Sequence, residues 1–125
     1  LTIGNTIPAL AIDVETRRPL LANVTGGLSG PAVHAPAVRS VWEGFNKYGR
    51  DPHGPGKHLP IVGLGGVLNW RDAAEFILAG ATAVGMGTAL FADPRSPLAV
   101  IRGLEKWVAR QGFSGVAEAV GALKV

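Results

Sequence analysis

The sequence predicts an α/β fold with a parallel sheet, on three observations. Short apolar runs followed by glycine turns occupy 61–64 and 81–86, as expected of strands that are buried on both faces. A helical pattern at 73–78 separates them, with Asn69 as its predicted N-cap and Gly80 at its end. Two strands joined by one helix form a right-handed βαβ unit, which places the strands parallel in one sheet.

The part of the chain before this unit begins with a predicted strand at 1–4. Residues 7–31 are irregular, and their apolar pieces 10–12 and 19–22 predict two short strands joined by an exposed polar loop. Irregular stretches longer than about 15 residues in compact domains are usually functional covers or disordered. The apolar pieces favour a cover over the mouth of the domain.

A glycine-dense segment at 23–32 precedes a predicted helix at 31–48. The apolar stripe of that helix, at spacing i, i+3, i+4 and i+7, consists of Val38, Val41, Trp42 and Phe45. We expect Trp42 to lie in the core. The following segment, 46–58, is rich in glycine, proline and charge, which predicts a polar loop.

Two helices are predicted at the end of the chain. Ser96 and Pro97 form an N-cap and first-turn pair for a helix that ends near Gly112. Its predicted buried face consists of Leu98, Ile101, Leu104 and Val108. Ser114 is a candidate cap for a short final helix, whose apolar positions at helical spacing are Val116, Val120 and Leu123.

Composition excludes several classes of protein. With 47% hydrophobic and 17% charged residues the chain is predicted to be globular rather than disordered. It contains no cysteine, so disulfides and thiolate chemistry are excluded within it. The basic residues are dispersed, which argues against nucleic-acid binding, and no apolar run reaches about 18 residues, so we expect no membrane span and a cytoplasmic location. His53 and His58 lack a third ligand at metal-site spacing, so no metal site is predicted.

The strongest candidate site lies at the carboxyl ends of the two central strands. Gly65 and Gly66 follow the first strand, and Gly87 and Thr88 follow the second. In α/β folds ligands bind at these ends, and glycine lets backbone N–H groups approach an anion. In a (β/α)8 barrel the loops after strands 7 and 8 usually bind phosphate. The alternative is that the glycines serve only tight turns and helix–strand contacts.

The length of the chain limits this interpretation. A complete (β/α)8 barrel needs about 250 residues, and the chain has 125. One strand before the βαβ unit and three main helices therefore predict the last three β/α units of a barrel, with an irregular β excursion after the first strand. A five-strand remainder would lie outside this sequence.

Three further polar features are candidates for ligand contacts. Asn5 and Thr6 follow the first strand and offer donors and acceptors, although from the residues alone a turn or a helix cap is the better explanation. Gly30 belongs to a backbone-rich segment just before the helix-initiating Pro31. His34, in the first turn, could contact an anion, but we expect its side chain to be solvated.

Several segments stand in a specific order along the chain: Asn5-Thr6, Ala11-Ile12-Asp13, Thr16-Arg17-Arg18-Pro19, NVTGGLSGPAV from Asn23, GLGGV from Gly63, DAAEFILAGATAV from Asp72, GTALF from Gly87 and the terminal GALKV. Together they resemble the C-terminal part of dihydroorotate dehydrogenase, the FMN-dependent barrel enzyme of pyrimidine synthesis, and within that family class 1B. The resemblance implies that residues 1–125 are the C-terminal half of an FMN-binding TIM barrel. His34 stands where the family has a lysine.

The resemblance also implies roles for individual residues. Asn5 and Thr6 would contact the orotate ring. The residues assigned to FMN are Gly4, Gly30, Gly65, Gly66, Gly87 and Thr88, the last four of them holding its phosphate. The family's catalytic base, a cysteine in class 1B, lies in the missing N-terminal half, so no catalytic residue is expected here and the chain alone should be inactive.

The implied function is oxidation of dihydroorotate to orotate in de novo UMP synthesis by the full-length enzyme. That enzyme is expected to be a homodimer, with an iron–sulfur/FAD electron-transfer subunit as a further partner. NAD through that subunit, fumarate or another acceptor would take the electrons. Two alternatives remain: a non-catalytic phosphate-binding half-barrel module that self-associates, and an FMN domain like that of dihydropyrimidine dehydrogenase.

Overall fold

The computed structural model of the chain describes residues 1–49 and 59–125. The strands are β1 (Thr2–Ile3), β2 (Ile7–Ala9), β3 (Ile12–Asp13), β4 (Arg18–Pro19), β5 (Gly26–Leu28), β6 (Val62–Leu64) and β7 (Ala83–Gly85). The helices are α1 (His34–Gly44), α2 (Trp70–Ala79), α3 (Ala89–Ala92), α4 (Ser96–Gln111) and α5 (Val116–Ala119). A 3-10 turn, Pro31–Val33, precedes α1, and a π-helical turn, Phe45–Gly49, follows it.

The central sheet has three parallel strands in the order β1-β6-β7. Val62 of β6 pairs with Thr2 on one side and with Ala83 on the other. The predicted α/β fold with a parallel sheet is therefore confirmed, including the strand at the start of the chain. All three strands end at the same edge, which brings the segments that follow them together.

Helix α2 begins and ends where the sequence predicts. The Asn69 side chain accepts a hydrogen bond from the Arg71 N–H at 2.8 Å, and Asp72 accepts one from the Asn69 N–H at 3.0 Å. These reciprocal bonds are a capping box, which satisfies backbone donors that the first helical turn leaves unpaired. Gly80 ends the helix with φ +116°, a left-handed conformation that glycine adopts without steric cost.

The core lies between the sheet, α1 and α2. Phe76, Ile61 and Val41 are its largest fully buried side chains. The Phe76 ring lies against the backbone of β6, where a Cβ at Gly63 would come within 2.5 Å of the ring. Gly63 is therefore needed for this contact between helix and sheet.

Helix α1 differs from the prediction in its length and its buried face. A single helix over 31–48 was expected, whereas the regular α-helical part ends at Gly44. Trp42 is 39% exposed, so its expected place in the core is wrong. The sheet instead contacts Ala37 and Val41, and Trp42 lies about 100° further round the helix.

The start of α4 also corrects the prediction. Arg95, not Ser96, occupies the N-cap position, and the buried Ser96 hydroxyl has no hydrogen-bond partner in the described part of the chain. Leu98 and Ile101 are 55% and 53% exposed, so they do not belong to the buried face. The buried residues of α4 are Val100, Trp107 and Val108. Packing against α2 selects this face, because Trp107 and Val108 join Ala74 and Ile77 in one cluster.

The final helix is shorter than its apolar spacing indicated. Gly115 is its N-cap, and the Ser114 hydroxyl instead donates to Glu118 at 2.7 Å. Val116 is 36% and Leu123 46% exposed. Val120, the third predicted apolar position, packs against the cluster formed with α2 and α4, so only part of the predicted stripe faces the core.

Residues 7–28 form the excursion, which contains two antiparallel pairs. Strand β3 pairs with β4, close to the two short strands predicted there. Strand β2 pairs with β5, which the sequence did not predict. The two strands of this pair contain Pro8 and Gly26-Gly27, residue types that are depleted in strands. Pairing between the strands therefore outweighs the low strand propensity of these residues.

The polar segment 46–58 lies mainly outside the described residues, with Asn46 to Gly49 in the π-helical turn rather than in a loop. His53 and His58 also lie outside the described residues. None of the helices in the described residues combines the length and the hydropathy of a membrane-spanning segment.

Candidate functional site

A cavity of about 150 Å³ opens at the carboxyl ends of the three central strands. It is lined by Asn5, Thr6, Ser29, Gly30, Val33, Leu64, Gly65, Gly66, Val67, Leu68, Gly85, Gly87, Thr88 and Ala89. Seven of the eight residues that the sequence nominated are among them. Segments that follow β1, β5, β6 and β7 thus converge on one space.

Gly4 is the nominated residue that does not line the cavity. It has φ +123°, and a Cβ there would overlap the Leu64 carbonyl oxygen. Close approach of the end of β1 to the end of β6 therefore accounts for glycine at this position. A backbone contact to FMN at Gly4 stays a prediction.

The turn after β6 is built from two glycines with positive φ, +141° at Gly65 and +65° at Gly66. A Cβ on Gly66 would lie 2.6 Å from the Gly30 carbonyl oxygen and 2.8 Å from the His34 Cβ. The turn is thus packed closely against the start of α1. Its glycines are required by the backbone itself, as the alternative interpretation of the sequence holds, and they also line the cavity.

Gly30 and Gly87 have different surroundings. Both line the cavity, and a Cβ at either position would meet nothing within 4 Å. Gly87 does not have a positive φ, so neither backbone conformation nor a neighbouring atom requires glycine there. Open space in front of these two glycines is the shape that a bound group approaching the backbone would need, so the residues present fit a flavin phosphate.

Among the described lining residues, four have polar side chains: Asn5, Thr6, Ser29 and Thr88. The Asn5 carboxamide oxygen accepts a hydrogen bond from the Thr6 N–H at 2.8 Å, which fixes the orientation of the amide. The Thr6 side chain lies against Gly27, where a Cβ would come within 2.2 Å of its hydroxyl. Gly27 therefore leaves room for Thr6 at the cavity.

The described lining residues include no acidic and no basic side chain. A bound anion would meet backbone N–H groups and hydroxyls, with no carboxylate nearby to repel it. The resolved carboxyl pKa shifts lie elsewhere: hydrogen bonds from Thr16 lower the pKa of Asp13, and those from Ser114 lower the pKa of Glu118. Among the described residues no group of three potential metal ligands occurs.

His34 corrects the expectation of a solvated side chain. Its side chain is only 13% exposed, its Nδ1 lies 2.9 Å from the Gly65 carbonyl oxygen, and its ring packs edge-on against Phe76. The sequence places this histidine next to the candidate site, in the first turn of α1 directly after the glycine-dense segment. Its partner is 31 residues away, and no local pattern identifies it.

Of the glycine-dense segment at 23–32, only Ser29 and Gly30 reach the cavity. Gly26–Leu28 pair with β2 instead. The segment is therefore a strand followed by two residues that line the cavity.

A family model and individual relatives identify the same family for this chain. The family model described as dihydroorotate dehydrogenase matches residues 1–108. The catalytic subunit of dihydroorotate dehydrogenase B (NAD(+)) from Caldicellulosiruptor bescii is 43% identical over 125 residues, and that from Geotalea daltonii is 46% identical. All of this chain is covered in both cases, but it spans only 39% and 38% of the two relatives.

Solved structures show the same relationship. The crystal structure of a dihydroorotate dehydrogenase from Eimeria tenella in complex with ferulenol matches with a TM-score of 0.74 and 26% identity. The match covers 97% of the present chain and 30% of the Eimeria tenella chain. The ligand-free form from the same organism has a TM-score of 0.72. With most of its length matched by the family model and by these relatives, the chain belongs to the dihydroorotate dehydrogenase family.

Proposed function

We propose that this chain is part of an FMN-dependent dihydroorotate dehydrogenase that oxidises dihydroorotate to orotate in UMP synthesis. The observation that carries the proposal is the open space before Gly30 and Gly87 in a cavity built from the nominated segments. In a chain of this family, such a space at the carboxyl ends of parallel strands is suited to a cofactor phosphate.

The strand order supports a place for the chain within a barrel. Strands β1, β6 and β7 are parallel and lie in the sheet in the order in which they occur along the chain, with α1 between the first two and α2 between the last two. Three consecutive β/α units of a (β/α)8 barrel would have this arrangement. We infer that residues 1–125 are its C-terminal part, with further strands pairing at the outer edges of β1 and β7.

Each nominated residue has a role in this proposal. Gly65, Gly66, Gly87 and Thr88 hold the FMN phosphate through backbone N–H groups and one hydroxyl. The other FMN contacts are made by the backbones of Gly4 and Gly30, and Asn5 and Thr6 hydrogen-bond the orotate ring. When bound, FMN supplies the hydride acceptor. No described residue that lines the cavity has a titratable side chain, and we propose that the proton acceptor comes from outside this lining.

Partners are proposed from the relatives. Two of them are named as catalytic subunits of a dehydrogenase that uses NAD(+). We infer that the full-length protein works as a homodimer in the cytoplasm with a second subunit carrying an iron–sulfur cluster and FAD. That subunit would pass electrons to NAD.

FMN titration of the full-length protein and of this chain alone tests the proposal, followed by visible absorbance on adding dihydroorotate. We expect flavin bleaching in the full-length form only. Gly87→Val should lower FMN affinity at least tenfold, because its side chain would enter the open space.

Gly115→Val is a matched control for this substitution. Gly115 also has open space around its Cβ and an extended backbone, φ −172°, but it does not line the cavity. The Gly115→Val variant should bind FMN with the same affinity as the wild type. Bound FMN without bleaching in the full-length protein would contradict the dehydrogenase assignment, and unchanged affinity in Gly87→Val would contradict the location of the phosphate.

A further inference from the structure

We propose that His34 is a positioning residue that orients the Gly65–Gly66 peptide so that its N–H is offered to the FMN phosphate. This inference rests on the proposed function. It adds a side chain that contacts neither cofactor nor substrate, and that acts through the turn after β6.

The contact between His34 and the turn defines the tautomer of the ring. His34 Nδ1 lies 2.9 Å from the Gly65 carbonyl oxygen. A carbonyl oxygen can only accept, so Nδ1 carries the proton and donates it. Phe76 holds the ring edge-on, with centroids 5.1 Å apart and planes at 89°. The imidazole is therefore fixed between the core and the turn.

Because the Gly65–Gly66 peptide is planar and trans, the contact of His34 with its C=O also sets the direction of its N–H. The C=O and N–H of one trans peptide point in opposite directions, and the described residues contain no cis peptide. When the Gly65 carbonyl points at His34, the Gly66 N–H points away from it. His34 does not line the cavity, whereas both glycines do. No acceptor within 1–49 and 59–125 takes the Gly66 N–H, which leaves it for a ligand.

Both glycines have backbone freedom that makes such a restraint useful. Their φ values, +141° and +65°, lie in regions that glycine explores easily, so the conformation of the turn depends on its contacts with the start of α1. A hydrogen bond to the shared peptide removes part of that freedom before a ligand binds. Preorganised donors bind an anion more tightly than donors that must first be ordered.

The other ring nitrogen has a weaker contact. His34 Nε2 is buried, makes no hydrogen bond with a described residue, and lies 3.4 Å from a carboxylate oxygen of Glu75. Glu75 is 57% exposed, so solvent screens this pair. The restraint on the turn is therefore assigned to Nδ1, and Glu75 provides a control.

A pair of isosteric variants of the full-length protein tests the inference. In His34→Asn the side-chain NH2 occupies the position of Nδ1 and can still donate to Gly65, whereas His34→Leu has the same shape without a donor. FMN affinity is measured by flavin titration, with riboflavin, which lacks the phosphate, as a second probe. We expect His34→Leu to bind FMN about tenfold more weakly, the effect of one lost hydrogen bond, and riboflavin unchanged.

Three controls define the outcome. His34→Asn should retain FMN affinity within about threefold, and Glu75→Gln should leave it unchanged. The ³¹P resonance of bound FMN should shift in His34→Leu but not in His34→Asn. If His34→Leu does not fold, His34→Gln, whose donor lies at the Nε2 position, provides the same comparison. Thermal unfolding of the flavin-free proteins checks that each variant is folded.

The results separate this inference from the proposed function. Wild-type protein that does not bind FMN contradicts both. Wild-type protein that binds FMN, together with an unchanged His34→Leu, contradicts the role of His34 alone. Equal weakening in His34→Asn and His34→Leu, or equal weakening for riboflavin, would show that His34 only fills space.

Discussion

The βαβ unit, 61–89, contains much of the buried core, whereas no residue of the excursion, 7–28, is buried. The unit has a capped helix and a fully buried Phe76 at its centre. The excursion has two short strand pairs and includes two non-glycine residues with positive φ, Arg17 at +55° and Val24 at +66°. Such conformations cost about 1–3 kcal/mol each unless surroundings favour them, more so for a β-branched side chain.

This difference divides the candidate site. The proposed phosphate contacts, Gly65, Gly66, Gly87 and Thr88, stand on the unit that contains much of the buried core. The proposed orotate contacts, Asn5 and Thr6, stand beside the excursion, which buries little. We therefore expect the phosphate end of the cavity to be held more firmly than the substrate end, which stands beside the less buried excursion.

The largest expected effect is loss of the central ring of the unit. Phe76→Ala should lower the free energy of unfolding by about 3–5 kcal/mol, because it removes a fully buried aromatic side chain and leaves a cavity. In the excursion, Ile12 is 55% exposed, and Ile12→Ala should cost less than about 0.5 kcal/mol. Urea denaturation of the full-length protein measures both. Equal losses would contradict the comparison.

A smaller effect is expected at the helix cap. Asn69→Ala should cost about 1 kcal/mol of unfolding free energy, because the Arg71 N–H loses its acceptor. Asn23→Ala in the excursion is the matched control, since the Asn23 side chain makes no hydrogen bond with any described residue. It should change stability by less than about 0.5 kcal/mol. A cost at Asn23 equal to that at Asn69 would show that the excursion is more ordered than its exposure indicates.

The smallest effect is a local pKa change in the excursion. Hydrogen bonds from the Thr16 side chain, the Thr16 N–H and the Glu15 N–H lower the pKa of Asp13. A carboxyl with a lowered pKa stabilises the folded state above its unfolded pKa, and this contribution is lost as pH falls through the folded pKa. Thr16→Val should therefore raise the pKa of Asp13 towards its ordinary value. It should also reduce the stability that Asp13 contributes to the folded state and that is lost in acid.

NMR titration of the Asp13 side chain measures this pKa. Glu118, whose pKa is lowered by hydrogen bonds from Ser114, is the internal control and should titrate as in the wild type. FMN affinity at neutral pH should not change, because the turn does not line the cavity. An Asp13 titration that is the same in Thr16→Val and wild type would show that the side-chain hydrogen bond contributes nothing.

Much of the site was predictable because its chemistry is local. Glycines after parallel strands place backbone donors at one edge of a sheet, whatever side chains surround them. This reasoning located Gly65, Gly66, Gly87 and Thr88, and the structure brings all four to one cavity. It could not separate Gly66, where the packed backbone requires glycine, from Gly87, where open space does not.

The sequence by itself determined the parallel βαβ unit, the caps of α2 and the glycine turns, because each depends on residues a few positions apart. Only the tertiary structure decided that Trp42 faces outward, that β2 pairs with β5, and that His34 holds the carbonyl of Gly65. These depend on which surface a distant segment covers. Helical spacing gives the width of an apolar stripe, but the neighbouring element selects the face that is buried.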